Sequence, residues 1–191
     1  MEKNHPLRDA VAAILEKRLS ELSDESVELV KADHSEARIP LYFVDETGRT
    51  ASYCNVDLLI LKDDRIKIIL EIDEAGVDPV RICGNYLTST FSQFHFHRER
   101  DGGRRVAMGD SVAFFQIINA PRLGAYEDDR LIAIEKAIRS NSTRDSQITE
   151  YQIFLGKTKD FQGDDTGLVS AVKRALNQPR ENQRETVSTS T

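Results

Sequence analysis

Three carboxylates stand in the most apolar part of the chain, Asp57 in NVDLLIL and Glu71 and Asp73 in IILEID. Carboxylates are costly to bury unless a cation, a shared proton or a metal ion compensates them. A dense set of hard oxygen ligands suits Mg²⁺ or Mn²⁺, so these residue types predict a divalent-metal site. The alternative is a solvated strand end at which the acids pair with Arg81 or Lys67.

The segments that carry these acids, residues 55–61 and 65–73, predict an antiparallel hairpin. If Asp57 lies opposite Glu71, the second face is entirely apolar, whereas a slip of one residue places charges on both faces. The acidic face would also pair Leu59 with Ile69 and Leu61 with Lys67, and the apolar face Val56 with Ile72, Leu58 with Leu70 and Ile60 with Ile68. The pattern therefore predicts this register or one shifted by two residues, and in either register Asp57, Glu71 and Asp73 share a face.

The elements around this hairpin predict an α/β fold. Hydrophobic periodicity predicts helices over 6–22, 79–91, 127–139 and 166–177, and strands over 27–32, 38–45, 50–61, 65–73, 93–99, 104–108, 112–120 and 150–155. This order predicts a mixed central sheet, in which an antiparallel meander is followed by crossover strands, with helices on both faces.

The helix over 79–91 has a clear start, because Asp78 can cap the free N–H groups and Pro79 suits the first helical position. Its inward stripe is predicted to be Val80, Cys83, Leu87 and Phe91. Its polar stripe is predicted to be Arg81, Asn85, Thr88 and Ser92.

Length and composition predict a single α/β domain over 1–178 and a disordered polar tail over 179–191. No apolar run approaches the length of a spanning helix, so we expect a cytoplasmic protein without a membrane partner. The formal net charge of −6 counts against nucleic-acid binding by bulk charge alone.

Positive charge is nevertheless concentrated in RERDGGRR at 98–105, a predicted hairpin tip. Its arginines are Arg98, Arg100, Arg104 and Arg105. We expect this hairpin to contact a nucleic-acid backbone, and the alternative is a solvated tip. His95 and His97 alternate just before it, but they lack an evident third metal ligand.

The acid-bearing strands resemble those of the PD-(D/E)xK nuclease superfamily, which has the restriction-endonuclease-like fold. Asp57 matches the acid on one family strand, and Glu71 matches the acid on the next. The helix from Pro79 and the strand around Gln116 fall where the family's next elements fall, so the resemblance covers roughly residues 6–120.

The resemblance implies metal ligands at Asp57, Glu71 and the Ile72 carbonyl, and a phosphate-holding cation at Arg81 or Lys67. The family's lysine position holds Asp73 here. A few restriction enzymes of this superfamily carry an acid or glutamine at that position, so the departure does not exclude catalysis. Asp73 would then be either a ligand or a general base.

The function that the resemblance implies is a metal-dependent phosphodiesterase of endonuclease type, acting on DNA with Mg²⁺ or Mn²⁺. The alternative is a non-catalytic interaction or nucleic-acid-binding module that retains a nuclease-like fold. The acid at position 73 and the negative net charge favour that alternative. Substrate strandedness, sequence specificity and oligomeric state stay open, with a homodimer as one arrangement.

Overall fold

The computed structural model describes residues 5–22, 24–32, 38–43, 52–97, 103–120, 125–141, 146–163 and 166–178. The expected tail over 179–191 lies outside these residues, as do Arg98 and Arg100. No helix in the described ranges is both long and apolar enough to cross a membrane.

Eight strands and five helices occur in the described part of the chain, and they confirm the α/β prediction. They are α1 (Pro6–Ser20), β1 (Val27–Lys31), β2 (Ile39–Tyr42), β3 (Ser52–Val56), β4 (Leu58–Lys62), β5 (Arg65–Asp73), α2 (Pro79–Phe91), β6 (Phe94–His97), β7 (Arg104–Asn119), α3 (Ala125–Asn141), β8 (Ile148–Gly156), α4 (Thr158–Gln162) and α5 (Leu168–Asn177). The short helix α4 was not predicted.

The strands form a mixed sheet in the order β1-β4-β5-β7-β6-β2-β3, with β8 also paired to β7. β4 runs antiparallel to β1 and β5, whereas β7 runs parallel to both β5 and β8. Helix α2 lies on the crossover between the parallel strands β5 and β7. The predicted mixed sheet with crossover connections is therefore confirmed. The predicted meander of consecutive strands is wrong, because β2 and β3 lie at the opposite edge of the sheet from β1 and β4.

The predicted register of the β4–β5 hairpin is confirmed in the middle of the hairpin. Leu58 faces Leu70, Leu59 faces Ile69 and Ile60 faces Ile68. The prediction that Val56 faces Ile72 is wrong, because Val56 belongs to β3 and pairs with Ile39. The prediction that Leu61 faces Lys67 is wrong, because the register shifts there and Leu61 pairs with Ile66.

The turn explains this shift. Asp63 and Asp64 both have positive φ angles, 51° and 58°, as a tight two-residue hairpin loop requires. That loop pairs Lys62 with Arg65, whereas the register predicted from the apolar pattern would pair Lys62 with Ile66. A bulge at Lys67 absorbs the difference.

Strand β7 replaces two predicted strands, over 104–108 and 112–120, with one continuous strand. Its first part pairs with β6 and its second part with β5 and β8. Gly109 lies between the two parts, and a Cβ there would come within 3.0 Å of the Ile66 carbonyl oxygen. A glycine thus allows β7 to pass close to β5 where the pairing is irregular.

The sheet is covered on both faces. Helices α1, α4 and α5 pack on the face that carries Leu58, Ile60, Ile68 and Leu70. Tyr86 of α2 and Ile138 of α3 pack with the residues of the opposite face, Leu59, Ile69 and Phe114. The alternation of the hairpin therefore decides which side chains meet which layer of helices.

Helix α2 turns a different side to the core from the one predicted. Its buried residues are Ile82, Tyr86 and Ser89. The residues expected to face inward are exposed, namely Val80 at 83%, Cys83, Leu87 at 55% and Phe91 at 47%. The helix carries apolar residues on two sides, so hydrophobicity alone does not fix its rotation. The observed rotation lets Ile82 join Ile118 and Leu131 while Arg81 reaches Asp73.

Candidate functional site

Asp57 occupies a break between two strands. The predicted strand over 50–61 divides here, because β3 leaves to pair with β2 while β4 pairs with β1 and β5. The Asp57 N–H donates to the Leu70 carbonyl at 3.2 Å, and its Oδ2 accepts from the Ile72 N–H at 2.7 Å. These bonds hold Asp57 against the carboxyl end of β5.

The three acids lie together, as the sequence predicted. Glu71 and Asp73 follow Ile69 at alternate positions of β5, on the side of the sheet that α2 and α3 cover. The negative charges of Asp57 and Asp73 both act on Glu71. All three residues are buried.

Arg38, which the sequence analysis did not identify, bridges two of these acids. Its Nε donates to Asp57 Oδ1 at 3.3 Å, and its Nη2 donates to Asp57 Oδ2 at 3.1 Å. The same Nη2 also donates to Glu71 Oε2. The Arg38 side chain is 40% exposed, whereas that of Glu71 is 2% exposed, so the guanidinium closes the acids off from solvent.

The strand register places Arg38 there. β2 and β3 are antiparallel, with Ile39 opposite Val56 and Pro40 opposite Asn55. One step further, the same register sets Arg38 opposite Asp57. This signal was present in the sequence, because pairing the predicted strand over 38–45 with the one that begins at 50 would have brought an arginine to the acid.

Arg81 joins the site through α2. Asp78 caps this helix, since its Oδ1 accepts from the N–H groups of Val80 and Arg81. The Arg81 guanidinium donates to Asp73 Oδ1, and the Ala75 N–H donates to the same oxygen at 3.0 Å. Asp73 Oδ2 is buried and has no hydrogen-bond partner among the described residues.

Lys67, the other cation considered for the site, is not in it. Its Nζ donates to the Ser111 carbonyl at 2.9 Å. Ser111 precedes the part of β7 that pairs with Glu71 and Asp73. Lys67 therefore lies toward the turn end of β5, away from the acids.

Burial dominates the electrostatics of Glu71. It raises the pKa of Glu71 well above the usual carboxyl range; the neighbouring charge of Asp57 raises it further, and Arg38 only partly opposes this. Three carboxylates and two guanidiniums would carry a net negative charge. A proton on Glu71 brings the cluster to neutrality without a metal ion.

Gln116 is a second residue that the sequence analysis did not place in the site. It lies beside Glu71 in the parallel pairing of β5 and β7, and it is fully buried. Its Oε1 accepts from the Tyr151 hydroxyl at 3.5 Å, while its Nε2 has no partner in the described ranges. The available signal was a lone amide inside the apolar run VAFFQIINA.

Glu74 belongs to a different structure despite following the acids in sequence. Its Oε1 accepts from the N–H groups of Leu7 at 2.9 Å and Arg8 at 3.1 Å. These are free N–H groups in the first turn of α1, so Glu74 caps that helix. The carboxylate thereby fixes α1 to the end of β5.

The donor set fits a hard divalent cation in its chemistry, because Asp57, Glu71 and Asp73 offer only carboxylate oxygens and one of them is unpaired. The described residues contain no group of three acidic, histidine or cysteine side chains already arranged around a metal position. Arg38 and Arg81 engage the acids instead. A cation could bind the pair of Asp57 and Glu71 only if Arg38 moved off it.

The strands on either side of the predicted arginine hairpin tip, β6 and β7, pair antiparallel, and His97 faces Arg104. Arg104 forms a salt bridge of 2.9 Å with Asp64, and the Arg105 guanidinium lies 4.1 Å from the centre of the Phe94 ring. Asp64 belongs to the β4–β5 turn, at the other end of β4 from the acids. The structure does not join these arginines to the acidic site, and nucleic-acid contact stays a prediction.

His95 is buried in the sheet, with its Nδ1 3.1 Å from the Pro40 carbonyl oxygen. This backbone partner gives His95 a structural role next to β2.

No family model, curated protein or solved structure matches this chain. Membership of the PD-(D/E)xK superfamily therefore stays a prediction.

Proposed function

We propose that this protein is a metal-dependent phosphodiesterase of endonuclease type that acts on DNA. The observation that carries the proposal is the gathering of three buried carboxylates at the carboxyl end of β5, with Asp73 Oδ2 unpaired among the described residues. Burying carboxylates costs stability, and a fold that only needed a filled core would be served better by apolar residues.

The order of elements supports the same proposal. Asp57 precedes β4, Glu71 lies on β5, and α2 follows. After the short strand β6 comes β7, which runs parallel to β5 and pairs with it. This is the order in which the PD-(D/E)xK superfamily carries its two acids, its helix and its next core strand. A restriction-endonuclease-like fold is accordingly part of the proposal.

Asp57, Glu71 and the Ile72 carbonyl would hold Mg²⁺ or Mn²⁺, with Asp73 as a further ligand or as the general base. When bound, the metal supplies a water of lowered pKa and neutralises charge on the phosphate. Glu71 binds a cation only in its deprotonated form, and burial raises its pKa, so metal affinity should fall as the pH is lowered. Arg81 is partly exposed and can present its remaining N–H groups to a phosphate.

A non-catalytic interaction module is the second candidate, and the ion pairs favour it. Arg38 and Arg81 already compensate the acids, and the net charge of the chain is −6. In this second reading the cluster is a structural network whose polar groups fix the junction of β3, β4 and β5. Its stability would then depend on the arginines and not on metal.

Plasmid cleavage distinguishes the two candidates. Supercoiled plasmid incubated with the purified protein and Mg²⁺ or Mn²⁺ should be nicked or linearised, and a chelator should prevent this. Asp57→Asn should abolish cleavage. Asp110→Asn is the matched control, because Asp110 is an exposed acid that contacts only Arg65 at 3.8 Å among the partners described. Wild-type protein that cleaves with neither metal, or Asp57→Asn that cleaves like wild type, would refute the proposed function.

A further inference from the structure

Arg38 contacts both Asp57 and Glu71, the two acids to which the proposed function assigns the metal. We propose that Arg38 is a phosphate-binding residue that rests on these acids until a divalent cation takes its place, and that it then holds the substrate phosphate. This inference rests on the proposed function and adds a residue to its site.

Arg38 and a divalent cation would compete for the same carboxylate oxygens. Arg38 contacts both oxygens of Asp57 and Oε2 of Glu71. A divalent cation bound to these carboxylates would meet the positive charge of the guanidinium at close range. Because like charges a few ångströms apart in a buried site repel strongly, Arg38 and the cation exclude one another.

The Arg38 guanidinium can move off the acids toward solvent. At 40% exposure it already faces solvent, whereas the acids beneath it are buried. Its backbone is held in place, because the adjoining Ile39 is buried and paired with Val56. A displaced Arg38 side chain would therefore stay at the mouth of the site, where an anionic substrate must approach.

The chemistry of the guanidinium suits that substrate. The fork of N–H groups that grips the Asp57 carboxylate also matches two phosphate oxygens. The PD-(D/E)xK superfamily usually carries a lysine at the position that matches Asp73 of this chain. Arg38 on one side and Arg81 on the other would together supply the positive charge that a lysine at position 73 would have given.

Arg38→Met tests the inference, because methionine keeps an unbranched apolar stem and removes the charge. The Mn²⁺ concentration that half-saturates the rise in melting temperature should fall by about tenfold or more, the size expected when a charge at this range is removed. The kcat/KM for plasmid cleavage should fall by about 100-fold, as for loss of one phosphate-stabilising donor. Arg38→Lys should recover part of the lost cleavage.

Arg174→Met is the control, since Arg174 is an exposed arginine on α5 that pairs with Glu150. It should match wild type in both measurements. Weaker Mn²⁺ binding by Arg38→Met would show that Arg38 only holds the acids in place, and unchanged kcat/KM would show that it does not bind phosphate. Either result would overturn the inference. The proposed function would still stand in that case if the wild-type protein cleaves plasmid. If Arg38→Met does not fold, Arg38→Lys decides, because a raised KM is expected and an unchanged KM overturns the inference.

Discussion

Replacing Ile82 with alanine should destabilise the protein far more than replacing Leu87, although both lie on α2. The Ile82 side chain is fully buried with Ile118 and Leu131, whereas Leu87 is 55% exposed. Truncation of a buried isoleucine costs about 2–5 kcal/mol, because it removes apolar contacts and leaves a cavity. Substitution of an exposed residue usually changes stability by less than about 0.5 kcal/mol.

Urea denaturation provides the assay, with the midpoint compared at unchanged slope. In thermal melts of a chain this long, Ile82→Ala should lower the melting temperature by about 4–20 °C. An equal or larger loss from Leu87→Ala would refute the reasoning. It would mean that the stripe of Val80, Cys83, Leu87 and Phe91 faces the core, and a helix turned that way could not bring Arg81 to Asp73.

Three further predictions concern charge. In buffer containing a chelator, raising the pH through the raised pKa of Glu71 should lower the free energy of unfolding. The reason is that the folded state holds the Glu71 proton more tightly than the unfolded state does. Glu71→Gln should therefore make urea melts less dependent on pH in this range. Asp73→Lys should abolish plasmid cleavage and lower the melting temperature, because it sets a second cation beside Arg81. Retained cleavage would show that Asp73 is neither a metal ligand nor the general base. Joint substitution of Arg104 and Arg105 with alanine should reduce the salt slope of DNA binding by about two units, and an unchanged slope would exclude the hairpin as the contact surface.

The sequence was sufficient where a pattern had a single solution. The alternation of the β4–β5 hairpin allowed only one assignment of side chains to the two faces, and the structure has the expected pairs from Leu58 to Ile60. The start of α2 was equally clear, since Asp78 and Pro79 each favour the same boundary. These features depend on neighbouring residues or on the simple alternation of a strand.

The sequence was not sufficient where distant elements decide the outcome. The rotation of α2 depends on Ile118 and Leu131 as much as on the helix itself, because the helix has two apolar sides. Arg38 was missed because it lies 19 residues from Asp57, and its position follows only once the β2–β3 register is known. The charge balance of the site therefore could not be predicted from the acids alone.

Direct measurement of Mn²⁺ binding tests most sharply whether Asp57 and Glu71 form a metal site although Arg38 contacts both of them. Calorimetric titration of the wild-type protein with Mn²⁺ should show a single binding site, with proton release on binding because Glu71 is deprotonated. The double variant Asp57→Asn, Glu71→Gln should show no binding at the same concentrations, and Asp110→Asn should bind like wild type. Absence of binding by the wild-type protein, or equal binding by the double variant, would contradict the assignment of the metal to these residues.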